Sequence, residues 1–145
     1  MHHHLILRVV AKLLIPQILL YALYVQFHGD FGPGGGFQAG VIFAVAFVLY
    51  ALVYGVTSLQ RIVPLGVLRV AAALGVLLYA GTGAVSLLLG QPYLDYSVLA
   101  HDPQHGQHLG IILVEFGVGL AVAAVMILIF TAFAERSSTL KDEDW

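Results

Sequence analysis

The chain contains no cysteine, which excludes disulfide bonds and metal sites built from thiolates. Charged residues are also scarce, at 10% of the 145 residues, whereas roughly a quarter is typical of a soluble domain. The formal net charge of −2 provides no basic surface for nucleic acid. What remains is a sequence that is 60% hydrophobic, with a mean hydropathy of +0.94, and this indicates an integral membrane protein.

The hydrophobic residues form four long runs, and no stretch alternates polar and apolar residues as a membrane β-strand does. A helix needs about 20 apolar residues to cross a hydrocarbon core of roughly 30 Å. We therefore predict an all-α membrane protein with four transmembrane helices, at residues 5–27, 37–59, 65–89 and 109–134. They form a single transmembrane domain over residues 1–136, followed by a polar cytoplasmic tail over residues 137–145.

The basic residues predict the orientation of these helices. All of them flank the N-terminus, the turn between the second and third helices, or the C-terminal tail: Arg8, Lys12, Arg61, Arg69, Arg136 and Lys141. The two remaining loops contain neither lysine nor arginine. The positive-inside rule then predicts that both termini are cytoplasmic and that these two loops lie outside.

Between the first two helices lies a segment, residues 29–40, that contains six glycines and one proline. Because lipid cannot hydrogen-bond exposed peptide groups, we expect protein or water to cover this segment. Asp30 is placed to order its backbone through side-chain hydrogen bonds. Alternatively, Asp30 and His28 form a hydrogen-bonded pair that titrates near neutral pH and belongs to an ion path.

Glu115 is the single acidic residue well inside an apolar segment. Gly119 and Ala123 follow it at helical spacing, so its side of the helix is small and is expected to face another helix. An ionisable residue at this depth is a candidate for an ion path or for coupling. The alternative is a protonated glutamic acid that serves only as a hydrogen bond between helices.

Other chemistry is poorly supported. His101, His105 and His108 have the spacing of one helical face, which three metal-binding imidazoles would need. We expect Pro103 and Gly106 to interrupt any helix there, so an ordinary surface loop is the preferred interpretation. No nucleophile–base–acid set and no phosphate-binding loop is present, so we predict no enzyme activity, no metal and no cofactor.

The sequence from His28 to Gly40, together with the acid of the fourth helix, resembles the B subunit of Mrp-type (also called Mnh) multisubunit sodium/proton antiporters. The resemblance lies in the chain length, in the four-helix plan, in the block Pro33-Gly34-Gly35-Gly36-Phe37, and in Glu115 followed by Phe116-Gly117-Val118-Gly119. Many members carry aspartate at the position of Glu115. A related domain occurs in membrane-bound hydrogenases and in other complexes akin to respiratory complex I.

The resemblance implies a multi-pass protein of the bacterial plasma membrane. It would be one subunit of a complex that exchanges sodium ions for protons. Its partners would be large antiporter-like subunits, small membrane subunits and the surrounding lipid bilayer. The alternative is a purely structural subunit of a hydrogenase-type or complex-I-like assembly. By resemblance, Pro33 and Phe37 matter most for antiport, and Gly32, Gly34, Gly35, Gly36 and Gly40 shape the backbone of the loop motif.

Overall fold

The computed structural model describes residues 3–29 and 34–139. Within those ranges the protein is all-α. Five α-helices follow one another, α1 (His3–Phe27), α2 (Gly36–Tyr54), α3 (Val56–Ile62), α4 (Leu65–Leu88) and α5 (Pro103–Thr139), with a 3₁₀ turn at Tyr96–Val98. Four of them, all except the short α3, are long and apolar enough to cross a membrane, which confirms the predicted number of spans.

The second predicted helix, residues 37–59, is wrong as one continuous element. The helix is broken at Gly55, whose φ of 93° lies in a region that residues with a side chain rarely adopt. The Gly55 amide still donates to the carbonyl of Ala51 at 2.8 Å, and α3 begins at the next residue, Val56. The spanning helix α2 is therefore 19 residues long.

The fourth predicted helix begins earlier than expected, because Pro103 and Gly106 do not interrupt it. Asp102 caps the helix: its carbonyl accepts from the Gly106 amide at 3.0 Å and its side chain from the Gln104 amide at 3.3 Å. Proline suits the first turn, where its missing N–H has no partner to lose. At the other end α5 continues to Thr139, three residues into the predicted tail.

Helix α5 is central to the packing, with α4 against one side and α2 against another, while α1 packs mainly on α2. Backbones approach closely where side chains are small. A Cβ atom on Gly75 of α4 would lie 2.6 Å from the Gly117 carbonyl and 2.6 Å from the Ala121 amide of α5. Such close approach is what holds helices together in lipid, where the hydrophobic effect does not drive their association.

Two contacts gather several elements at one end of the bundle. The Tyr54 hydroxyl, at the end of α2, donates to the Arg8 carbonyl of α1 at 3.0 Å, and the Arg8 guanidinium lies 5.9 Å from the centre of the Tyr54 ring. The Gln60 amide of α3 donates to the Glu135 carboxylate near the end of α5. The start of α1 therefore lies with α3 and the end of α5.

At the other end, the connection from α4 to α5 packs over the helix termini. Tyr93 covers Gly83 of α4, and Tyr96 covers Gly110 of α5. Hydrogen bonds from the Ser97 side chain and from the Ser97 amide, the latter at 3.0 Å, lower the pKa of the Asp95 carboxyl below its usual value. Partial burial, together with the nearby hydroxyls of Tyr79 and Tyr93, raises the pKa of Tyr96.

The α4–α5 contact gives a direct test of the packing. We expect Gly75→Leu to lower the free energy of unfolding by about 1–3 kcal/mol, because the added side chain has no space against α5. Gly81→Leu on the same helix is the matched control, since nothing lies within 4 Å of a Cβ atom there. Thermal unfolding in detergent would measure both variants, and equal melting temperatures would contradict the close contact.

Candidate functional site

The side chain of Glu115 in α5 reaches the glycine-rich connection between α1 and α2. A Cβ atom on Gly29 would lie 2.7 Å from each carboxylate oxygen of Glu115, and one on Gly35 would lie 3.2 Å from Oε1. No side chain larger than hydrogen fits at Gly29 unless the carboxylate moves. Two features that are far apart in the sequence therefore form one site.

The backbones of α2 and α5 hold this contact in register. A Cβ atom on Gly36 would collide with the backbone of Glu115, at 2.7 Å from its carbonyl carbon, and one on Gly40 would lie 2.6 Å from the Gly119 carbonyl oxygen. Gly36 and Gly40 are four residues apart, as are Glu115 and Gly119. Because both pairs are one helical turn apart, Gly36 contacts Glu115 and Gly40 contacts Gly119, and the backbones of α2 and α5 touch at both points.

The site lies at the N-terminus of α2. Gly35 is the N-cap residue, with a φ of 144°, and its carbonyl accepts the first helical hydrogen bond, from Ala39 at 3.0 Å. The amides in the first turn of a helix lack helical acceptors and carry partial positive charge. A carboxylate placed there interacts favourably with the helix end, which offsets part of the free-energy cost of removing Glu115 from water. Glu115 is half-buried.

Of the other predicted site residues in the α1–α2 connection, the structure describes some and leaves others out. His28 is exposed and its ring stacks on Tyr24, with centroids 4.0 Å apart. Asp30, Gly32 and Pro33 lie outside the described residues, so the His28–Asp30 pair stays a prediction. Phe37 is 64% exposed and lines a groove together with Tyr21 and Val25 of α1.

Gln26 of α1 is a polar residue of this region that the sequence analysis did not single out. A Cβ atom on Gly119 would collide with its side-chain oxygen. Next to it is an apolar cavity of about 200 Å³ between α1, α2 and α5, lined by residues that include Ala22, Phe43 and Phe116. The signal in the sequence that could have found Gln26 is its polar side chain within the otherwise apolar end of the predicted helix 5–27.

The histidines near α5 do not converge. His101 precedes the helix, and His105 and His108 lie within it. His105 Nδ1 is 2.9 Å from Asp102 Oδ2, in an exposed pair. Among residues 3–29 and 34–139, no three histidine, aspartate or glutamate side chains come close enough to hold a metal ion.

Comparison with known proteins gives a consistent result. A family model described as "Domain related to MnhB subunit of Na+/H+ antiporter" matches residues 6–128. The chain is similar to proteins named "Putative antiporter subunit mnhB2" from Staphylococcus aureus strains Newman, JH1 and USA300. Each is 32% identical over 132 residues, which cover 89% of this chain and 93% of the relative.

The residues matched by the family model include both the connection at residues 29–40 and Glu115. With four helices able to cross a membrane, they describe a multi-pass protein of the plasma membrane. The resemblance drawn from the glycine-rich block and the helical acid is confirmed: the chain belongs to the family of domains related to the MnhB subunit of Na+/H+ antiporters.

Proposed function

We propose that this chain is a subunit of a multisubunit sodium/proton antiporter complex, and that it contributes both to the assembly of the complex and to its ion path. The observation that carries the proposal is the contact between the Glu115 carboxylate and the glycine-rich connection at the N-terminus of α2. Membership of the MnhB-related family supports the assignment to an antiporter complex. The Glu115 contact supports a role for this subunit in the ion path in addition to a role in assembly.

Glu115 has the position and the chemistry for proton exchange. The span of α5 runs from Pro103 to Arg136, and its other acid, Glu135, lies at the very end. A glutamate can bind and release a proton, and its charged form interacts favourably with the positive end of α2 whereas its neutral form does so much less. Proton binding at Glu115 thus changes the force between α5 and the start of α2.

The same contact couples that change to the backbone. Gly29 and Gly35 lie directly against the carboxylate, with no intervening side chain to absorb a movement. A shift of the carboxylate upon protonation would therefore displace the α1–α2 connection. In this proposal Glu115 exchanges protons and the connection transmits the change to neighbouring subunits that bind sodium.

The orientation of the subunit follows from charge. Arg8, Arg61 and Arg136 belong to elements that meet at one end of the bundle, as the Tyr54–Arg8 and Gln60–Glu135 contacts indicate. Placing this end in the cytoplasm agrees with the positive-inside rule. Both termini are then cytoplasmic and the Glu115 site is nearer to the outer surface, where protons enter under a proton-motive force.

The first prediction concerns the titratable group. Glu115→Gln keeps the size of the side chain but cannot exchange a proton, so we expect sodium/proton exchange to fall by roughly tenfold or more while the complex still assembles. Exchange is measured by fluorescence in inside-out membrane vesicles, and assembly by co-purification.

Glu135→Gln is the matched control, because it removes an acid from the same helix outside the site while its side-chain oxygen can still accept the hydrogen bond from Gln60, so exchange should be unchanged. Wild-type exchange in Glu115→Gln across the neutral pH range would overturn a role in the ion path. Normal assembly with no exchange in the wild-type complex would favour the purely structural alternative.

A second prediction concerns the contact itself. Gly29→Ala places a methyl group against the carboxylate, so we expect it to lower exchange severalfold. Adding Glu115→Asp shortens the acid by about 1.5 Å and should restore part of the activity in the double variant, because neighbouring substitutions are not additive. If Glu115→Asp lowers exchange equally with and without Gly29→Ala, the two residues are not coupled and the proposal fails.

A further inference from the structure

A row of hydrogen-bonding side chains runs along one exposed face of α1. Gln17, Tyr21, Tyr24 and His28 are spaced four, three and four residues apart, so they lie on one side of the helix. All four are exposed. The rings of Tyr21 and Tyr24 stack with centroids 6.3 Å apart, and those of Tyr24 and His28 with centroids 4.0 Å apart. We call these four residues the polar face of α1.

Gln17 is the deepest member of this face. It lies within the span Leu5–Phe27, ten residues before Phe27, or about 15 Å along the helix. Pro16 beside it leaves the Lys12 carbonyl without its helical donor. The Gln17 amide does not bond that carbonyl, and it has no hydrogen bond to any residue in the described ranges. Lipid tails would leave this amide without a partner.

The polar face borders a groove between α1 and α2. The groove consists of two adjoining cavities of about 300 and 400 Å³, and Tyr21 and Ile42 line both of them. Gln17 lies in one of them, and Gln38 of α2, which is also exposed, lies in the other. The groove therefore combines an apolar floor with two side-chain amides, both of which can donate and accept hydrogen bonds.

We propose that a transmembrane helix from a different subunit of the complex lies in this groove and hydrogen-bonds Gln17 through a polar side chain at the same depth. The identity of that complex rests on the proposed function. Polar side chains commonly join helices across a membrane interface, and a helix of mixed apolar and hydroxyl or amide residues fits both the floor and the amides. An acyl chain would fill the volume but satisfy neither amide.

A second copy of this chain fits the groove less well. Two copies related by a two-fold axis would bring the same concave face against itself, and two concave faces do not fill one another. A separate helix supplies the convex surface that the groove lacks. Its far end would approach His28, the residue that precedes Gly29 in the sequence, and Gly29 in turn contacts the Glu115 carboxylate. The docked helix would therefore end near the α1–α2 connection.

The absence of cysteine allows a cross-linking test in the complete complex. Tyr21→Cys is labelled with a benzophenone maleimide in native membranes and irradiated, and the tagged chain is purified. We expect a cross-link to a different membrane subunit. Leu77→Cys, at an exposed position near the middle of α4, is the control and should give much less of that product.

Equal yields at the two positions would overturn the proposal, as would cross-links to lipid alone or to a second copy of this chain. A cross-link to a different subunit in a complex that shows no sodium/proton exchange would support the docking surface and reject the proposed function. The experiment can therefore overturn the docking surface and the proposed antiporter function independently of each other.

The hydrogen bond is tested by Gln17→Leu. We expect co-purification of the cross-linked subunit to fall by roughly threefold, the effect of a typical hydrogen bond between membrane helices, while the amount of this chain in the membrane stays constant. Gln17→Asn keeps an amide and should retain more of the partner. Co-purification at the wild-type level with Gln17→Leu would show that the amide makes no contact with a partner.

Discussion

The direct contact between the backbones of α2 and α5 determines where everything else in the site lies. It is possible only because Gly36 and Gly40 have no side chains, so the two helices meet at Glu115 and Gly119 with nothing between them. In lipid, where apolar side chains gain little by leaving the solvent, this close fit supplies the attraction between helices. It also directs the N-terminus of α2 towards the Glu115 carboxylate. The position of the titratable Glu115 side chain is thus determined by packing between glycines that do not titrate.

Hydrophobic length was sufficient to predict the class of the protein and the number of its spanning helices, because a bilayer imposes that length on any helix that crosses it. The breaks were harder to predict. Gly55 occurs in an apolar run, where it reads as one more small residue, and only the fold shows that its φ is positive. The start of α5 could have been predicted: Asp102 followed by Pro103 is a common way to begin a helix, but proline was given weight only as an interruption.

For the site, the sequence identified both halves but not their contact. Residues 29–40 stood out by composition and Glu115 by its isolated charge, yet hydropathy does not specify which helices are neighbours. The alignment of Gly36 and Gly40 with Glu115 and Gly119 becomes informative only once α2 and α5 are known to touch. Gln26 was missed because a single amide near a helix end has many ordinary explanations. The ring of His28 stacks on Tyr24, a contact that the sequence pattern did not indicate, and its predicted pairing with Asp30 involves a residue outside the described ranges.

The length of α5 has a mechanical consequence. Its 37 residues correspond to about 55 Å of helix, more than the roughly 40–45 Å of a bilayer with its headgroups. Near one end Glu135 accepts a hydrogen bond from Gln60, and Tyr96 packs on Gly110 near the other. The helix that carries Glu115 is therefore long enough to connect the two faces of a membrane, with a packing contact near each of its ends.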